Sequence, residues 1–188
     1  LNPLGRFRRL QDDFLDTLIG PPPRASTSRP ELRVLFVCYG NSCRSPLAEG
    51  IFRSKLASAG LLGRVAVDSA GTNAGDVGGA PDWRARRVAR NHGIMIGDLR
   101  SRRFEREDFD KFDWILVLDR HNRDDVLAVA QSDADRDKVR LLSHVDREVA
   151  DPVHGDHEDF EHTYRQIDEA CEALLADIRV ALVESCES

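Results

Sequence analysis

Long apolar runs are missing from this chain. Nowhere do uninterrupted hydrophobic residues approach the roughly 20 that a membrane-spanning helix needs, and no membrane partner is expected. Cysteine is scarce: Cys38, Cys43, Cys171 and Cys186 are the only four in 188 residues. That is too few for the disulfide framework of a small secreted domain. No secretory h-region precedes them, so a cytoplasmic protein with reduced thiols is expected. An excess of positive charge is also lacking. The net charge is −6, opposite in sign to that of a general nucleic-acid binder, so no nucleic-acid partner is expected. A phosphate site stays open, because local backbone dipoles and one or two arginines decide it. The chain opens on Leu1 rather than Met, so a missing or processed start is expected.

What is present is an ordinary globular balance, 41% hydrophobic and 32% charged. The length suits one domain with a proper core, plus an extension. Residues 1–30 form the extension. Phe7, Leu10, Phe14 and Leu18 fall at helical spacing. Gly20 to Pro30, with three consecutive prolines, then reads as a linker. This helix could dock on its own domain or bind a partner; no motif names one. Residues 31–188 form the domain, where strands alternate with helices. Strands are expected at 32–37, 65–68, 112–118 and 139–142. Helices are expected at 46–60, 81–91, 119–130 and 158–183. Such alternation predicts an α/β fold, a parallel sheet covered on both sides. Ligands of these sheets bind beyond the carboxyl ends of the strands, near a change of direction. Cys38 directly follows the first strand.

Cys38 opens the pattern C-x5-R-S, running Cys38, Tyr39, Gly40, Asn41, Ser42, Cys43, Arg44, Ser45. A tight loop between a strand and a helix N-terminus turns successive N–H groups toward one point, an anion nest. Gly40 is expected to adopt backbone angles that other residues resist. Arg44 adds a planar fork that grips two phosphate oxygens. The same dipoles and cation favour a thiolate, the nucleophilic form of cysteine. Ser45 can donate a hydrogen bond to that sulfur, and Asn41 can hold the loop through side-chain bonds. Ser45 also stands where an N-cap is expected, with Pro46 at the first helical position. A buried, inert Cys38 would be the blander reading, but it leaves the offsets of the glycine, arginine and proline unexplained.

The run from Val34 to Glu49, VLFVCYGNSCRSPLAE, resembles the signature of the low-molecular-weight protein tyrosine phosphatase family. The likeness continues through Asp68-Ser69-Ala70-Gly71-Thr72, Asn91-His92-Gly93-Ile94, Glu107-Asp108-Phe109, Phe112-Asp113, Asp119-Arg120-His121-Asn122 and Asp151-Pro152. It covers about residues 32–183. The resemblance implies a single domain with a four-stranded parallel sheet flanked by helices on both faces. It implies hydrolysis of a phosphoprotein without metal or cofactor, through a cysteinyl-phosphate. Cys38 would be the nucleophile. Arg44 and the amides of residues 39–45 would bind the phosphoryl group and its transition state. Ser45 would support the thiolate, and Asn41 with Ser69 would brace the loop. Asp151 would be the general acid and then the general base. A reversible Cys38–Cys43 disulfide, which would protect the nucleophile, is implied too, against a plain packing role for Cys43.

Three departures bear on the substrate. The family usually places aromatics after the Asp-Pro pair, where Val153 and His154 stand here. It often has Trp or Tyr near the position of Gly75. Aromatic walls suit a phosphotyrosine ring, so Tyr39, His154 and Trp83 are the candidates left to supply one. Ser42 replaces a bulky aliphatic. A small hydroxyl residue there resembles the protein arginine phosphatase branch, or the arsenate reductases, whose middle-chain redox cysteines are missing here. Phosphotyrosine is the expected substrate. Alternatives are phosphoarginine, or a weakly active phosphoprotein-binding module.

Two other clusters invite simpler readings. His154, His157 and His162 stand among acidic residues, but match no metal-ligand spacing, and no metal is expected. The arginines at 84, 86, 87, 90, 100, 102, 103 and 106 are expected to form a solvated face with a field for acidic substrates. Cys171 is placed on the inner face of the last helix and Cys186 in the tail, both inert.

Overall fold

The computed structural model describes residues 30–143 and 147–184. The extension helix at 7–18, its linker and Cys186 lie outside the described residues. Four strands, β1 (Leu32–Cys38), β2 (Val65–Gly71), β3 (Trp114–Val117) and β4 (Val139–Leu141), form one sheet in the order β2-β1-β3-β4. All neighbours are parallel. After β2 the chain crosses over β1 to place β3 on the other side. The switch in direction therefore lies at the carboxyl end of β1, the end that carries Cys38.

β1 is buried on both faces, which is why its apolar run does not alternate with polar residues. Val34 and Phe36 pack with α1 (Arg44–Ser58), α2 (Trp83–Asn91) and the long α6 (His157–Glu184). Leu35 and Val37 pack on the opposite face with Phe109 of α3 (Asp108–Lys111) and Val126 of α4 (Arg120–Ala128). Phe36, Phe52, Leu47 and Ile51 are at most 1% exposed; each contributes about 1.5–3 kcal/mol by leaving water. The expected covering of both faces is thus realised by two separate apolar clusters.

Several boundaries differ from expectation for identifiable reasons. β2 runs on to Gly71 because Ser69, Ala70 and Gly71 keep pairing with Phe36, Val37 and Cys38. The third strand starts late because the Phe112 N–H closes α3 on the Asp108 carbonyl. α3 and α5 (Asp133–Asp137) are too short to show a helical apolar period. A capping box between Ser132 and Asp135 holds α5. α2 stops where expected, with Gly93 at φ 76°, a left-handed turn that suits glycine.

The solvated arginine face forms only in part: Arg100 and Arg103 are exposed, but several of the group are engaged. Arg86 is buried and donates to the Pro81 carbonyl. Arg102 joins Asp68 and Asp108. Arg106 reaches Asp110 and Asp135, and Arg103 the Ala74 carbonyl. These side chains staple loops to the domain, because a guanidinium satisfies several acceptors at once.

Candidate active site

Local structure places residues 39–43 as a tight loop between the end of β1 and α1. The first helical hydrogen bond runs from the Leu47 N–H to the Cys43 carbonyl at 3.2 Å, so the amides of the preceding turn have no partner within the helix. Helix α1 begins at Arg44, with Cys43 at the cap position and no side-chain cap. The expected N-cap role of Ser45 is therefore wrong, and Pro46 is the third helical residue. The reason is that the Ser45 hydroxyl is engaged elsewhere. It lies 3.1 Å from Cys38 Sγ and 3.2 Å from the Ala70 carbonyl, and accepts from Asn41 Nδ2 at 2.9 Å. The cap amides remain available for an anion.

The left-handed residue of the loop is Asn41, at φ 50°, not Gly40 as expected. Asparagine tolerates this region, and its buried side chain ties the turn down on three sides. It donates to Ser45 and to Ser69 Oγ (3.0 Å), and accepts from the Arg102 N–H (2.8 Å). Ser69 in turn donates to Glu49 Oε2 at 2.6 Å. Glu49 is 2% exposed and also meets Arg53 at 2.7 Å. Burial raises its carboxyl to about 7, against the opposing pull of Arg53 and Ser69. The loop also rests directly on the end of β2. A side-chain carbon on Gly71 would lie 2.7–2.9 Å from backbone atoms of Tyr39, Gly40 and Asn41. Glu49 and Gly71 were not singled out as site residues, although both fall within segments of the family likeness.

Arg44 is 2% exposed. Its Nη1 donates to Asp119 Oδ2 at 2.6 Å and to the Val149 carbonyl at 3.2 Å. Its Nη2 donates to Asp151 Oδ2 at 2.5 Å. Burial pulls the guanidinium pKa down, but the facing Cys38 sulfur, Asp119 and Asp151 outweigh it and raise it. The sequence alone marks Asp119 as a helix start and as part of the family likeness, not as a partner of Arg44. It does cap α4, accepting from the Asn122 N–H at 2.6 Å, and the same carboxylate orients Arg44. Asn122, fully buried, fixes Asp119 in place. Oriented so that every donor meets an acceptor, its amide nitrogen lies 3.0 and 3.1 Å from Asp119 and its oxygen accepts from the Tyr39 N–H at 3.2 Å. Asp151 is more open, its side chain 39% exposed, and its Oδ1 accepts from the Val153 N–H.

A cysteine beside a serine hydroxyl, an arginine held by two carboxylates and one of those carboxylates facing solvent form a constellation suited to phosphoryl transfer. Residues 33–183 match the family model described as low molecular weight phosphotyrosine protein phosphatase. The chain belongs to that family. It is 37% identical over 147 residues to the human low molecular weight phosphotyrosine protein phosphatase, covering 76% of this chain and 92% of that one. It superimposes on the crystal structure of YfkJ from Bacillus subtilis with a TM-score of 0.75 at 32% identity, over 83% of this chain and 99% of that one. It is also similar to a structure of the YwlE arginine phosphatase, with a TM-score of 0.72 at 26% identity, over 79% and 96%.

In this low molecular weight phosphatase the rim of the site is formed by small or exposed residues at the positions the sequence marked. Val153 and His154 are exposed and Gly75 carries no wall. Tyr39, 43% exposed, is held instead: its hydroxyl accepts from Asn73 at 2.5 Å and its ring stacks on His121 at 6.0 Å between centroids. Trp83 is half-buried on α2. Cys43 is buried, and burial first, then Asp82, pushes its thiol up to about 12. Ser42 Oγ lies 3.7 Å from that sulfur. Cys171 is buried against the Ala48 carbonyl, its pKa raised by burial. The acidic residues around the histidines serve the start of α6: Asp156 Oδ1 accepts from the N–H groups of Glu158 and Asp159. Among the described residues, no group of three or more His, Cys, Asp and Glu is arranged to hold a metal ion. Nor is any described helix long and apolar enough to cross a membrane.

Proposed function

We propose that this phosphatase acts in the cytoplasm on phosphotyrosine of proteins, through a cysteinyl-phosphate on Cys38, with no metal or cofactor. The observation that carries the reading is the convergence of the Cys38 sulfur, the Ser45 hydroxyl at 3.1 Å and the doubly anchored Arg44 at one end of the sheet. In the first step the Cys38 thiolate attacks phosphorus. The bond from phosphorus to the ester oxygen breaks, and that oxygen takes a proton from Asp151. In the second, water attacks phosphorus and gives its proton to Asp151. The sulfur–phosphorus bond breaks, and phosphate leaves with the thiolate restored. The amides of Gly40, Asn41, Ser42, Cys43, Arg44 and Ser45, with the Arg44 fork, bind the equatorial oxygens, while the Tyr39 amide is taken by Asn122. Asn41, Ser45 and Ser69 keep that nest in shape. Cys43 would serve as the redox partner of Cys38.

Before substrate enters, Asp151 occupies one arm of Arg44. An arriving phosphate dianion competes for that arm. Asp119 keeps the other arm and so holds the fork in register. Tyr39, braced by Asn73 and His121, supplies an aromatic flank for the substrate ring. The residue at 42 favours a second reading. Its small hydroxyl leaves one wall low, which suits phosphoarginine, and one similar structure is that of an arginine phosphatase.

The test compares kcat/KM on peptides carrying phosphotyrosine, phosphoarginine and phosphoserine. Preference for phosphotyrosine is expected. Preference for phosphoarginine would transfer the assignment to the second reading, and comparable rates on phosphoserine would refute a selective pocket. Cys38→Ser is expected to abolish turnover while inorganic phosphate still binds; retained turnover would end the mechanism.

A further inference from the structure

Arg84, the second residue of α2, is remote from the signature loop in sequence, and its guanidinium joins two parts of the site. Nε and Nη2 hold the two oxygens of Asp82 at 3.0 and 2.9 Å. Nη2 also donates to the Val153 carbonyl at 3.0 Å, and Nη1 donates to the Gly155 carbonyl at 3.1 Å. The group lies 4.6 Å from the centre of the Phe160 ring at the start of α6, a favourable place for a cation. Each contact has a continuation. Asp82 caps α2 by accepting from the Arg84 N–H, and its own N–H donates to the Ser42 carbonyl at 2.8 Å. Val153 gives its N–H to Asp151 Oδ1 at 3.1 Å. One residue, Val153, is thus held by Arg84 at its carbonyl and holds the Asp151 carboxylate with its amide. The path runs from the phosphate loop at Ser42, through Asp82 and Arg84, to the acid.

The segment after Asp151 needs such a brace. Asp151, Val153, His154 and Asp156 are all exposed, and Pro152 is the buried anchor among them. An exposed loop with a single apolar anchor samples many conformations. A carboxylic acid displaced by about 1 Å loses much of its effect on a leaving oxygen.

We propose that Arg84 is a positioning residue for the leaving-group acid: it clamps the 153–155 backbone to the phosphate loop and so sets where Asp151 meets the ester oxygen. This rests on the assignment of Asp151 as the acid. Lysine cannot replace it, since one ammonium cannot span two carbonyls and a carboxylate while lying flat on a ring.

The experiment measures kcat/KM for p-nitrophenyl phosphate and phenyl phosphate with the wild type, Arg84→Met, Arg84→Lys and Asp151→Asn. The nitrophenolate departs with little help, whereas phenolate needs the proton. Methionine keeps an apolar stem against Phe160 and removes the fork; Arg84→Lys carries the same test if that variant does not fold. In the Arg84 variants the ratio of the two kcat/KM values, nitrophenyl over phenyl, is expected to rise by about tenfold, part of the 10²–10⁴ that a placed acid supplies. Asp151→Asn is expected to raise it further. A merely structural loss would lower both substrates in parallel and leave the ratio unchanged, and that result would overturn the role of Arg84. If Asp151→Asn also left the ratio unchanged, the acid assignment itself would fall. A raised ratio in Asp151→Asn alone would leave that assignment standing and remove only the clamp.

Discussion

At the scale of single residues, the proposed phosphate site depends on groups whose duties are divided. Asn41 accepts an unusual backbone conformation and is compensated by three hydrogen bonds. Ser45 forgoes the helix cap to reach the sulfur. Arg44 is nearly inaccessible to solvent and would be costly to bury without its carboxylates. In the proposed mechanism Asp119 is the anchor that stays on Arg44 when phosphate displaces Asp151. Asp119→Asn keeps the shape and an acceptor but removes the charge. We expect kcat/KM for p-nitrophenyl phosphate to fall by about tenfold, or ~1.4 kcal/mol of transition-state stabilisation. Unchanged kinetics in that variant would assign Asp119 to capping α4 alone.

At the scale of elements, the end of β2 and the loop after β1 form one unit. The N–H groups of Thr72 and Asn73 donate to the Cys38 and Tyr39 carbonyls at 2.9 and 2.8 Å, so β2 supplies the floor on which the nest rests. Gly71 is where the two backbones come closest. Gly71→Ala puts a methyl into backbone that has no flexible side chain to move aside. The loop must lift, at a cost of about 1–3 kcal/mol, and turnover should fall more than stability does, because the amides no longer converge. Urea unfolding alongside phosphate affinity checks this. Full phosphate binding in the alanine variant would show that the floor yields without disturbing the nest.

At the scale of the whole molecule, Glu49 links the site to folding. Between the ordinary 4.5 and about 7, the folded chain keeps a proton on Glu49 that the unfolded chain has released. Raising pH through that window therefore penalises the fold, whereas below 4.5 both states are protonated and no penalty exists. Glutamine resembles the neutral acid and does not titrate. From pH 4.5 to 8 the unfolding free energy of Glu49→Gln should improve relative to wild type, by up to ~3 kcal/mol. A constant difference across that range would mean that Arg53 keeps the buried carboxylate ionised throughout.

Much of the site was legible because it is local. Cys38 to Ser45 occupy consecutive positions on a strand end, a loop and a helix start. Backbone geometry carries such offsets into space with little help from the rest of the fold, and the apolar run of β1 announced a strand buried on both faces. Other partners come from far along the chain: Asp119 and Asp151 reach Arg44 across 75 and 107 residues, and Arg84 grips carbonyls about 70 residues away. The amino-acid order alone determined the strand–helix alternation, the position of Cys38 at the end of the first strand and the arginine that faces it. Only the tertiary structure decided which carboxylates hold that arginine, that Ser45 serves the sulfur rather than the helix, and that Asn41 takes the strained turn. Those outcomes depend on which groups the parallel crossovers bring within about 3 Å, the reach of a hydrogen bond, and no short-range pattern encodes that distance.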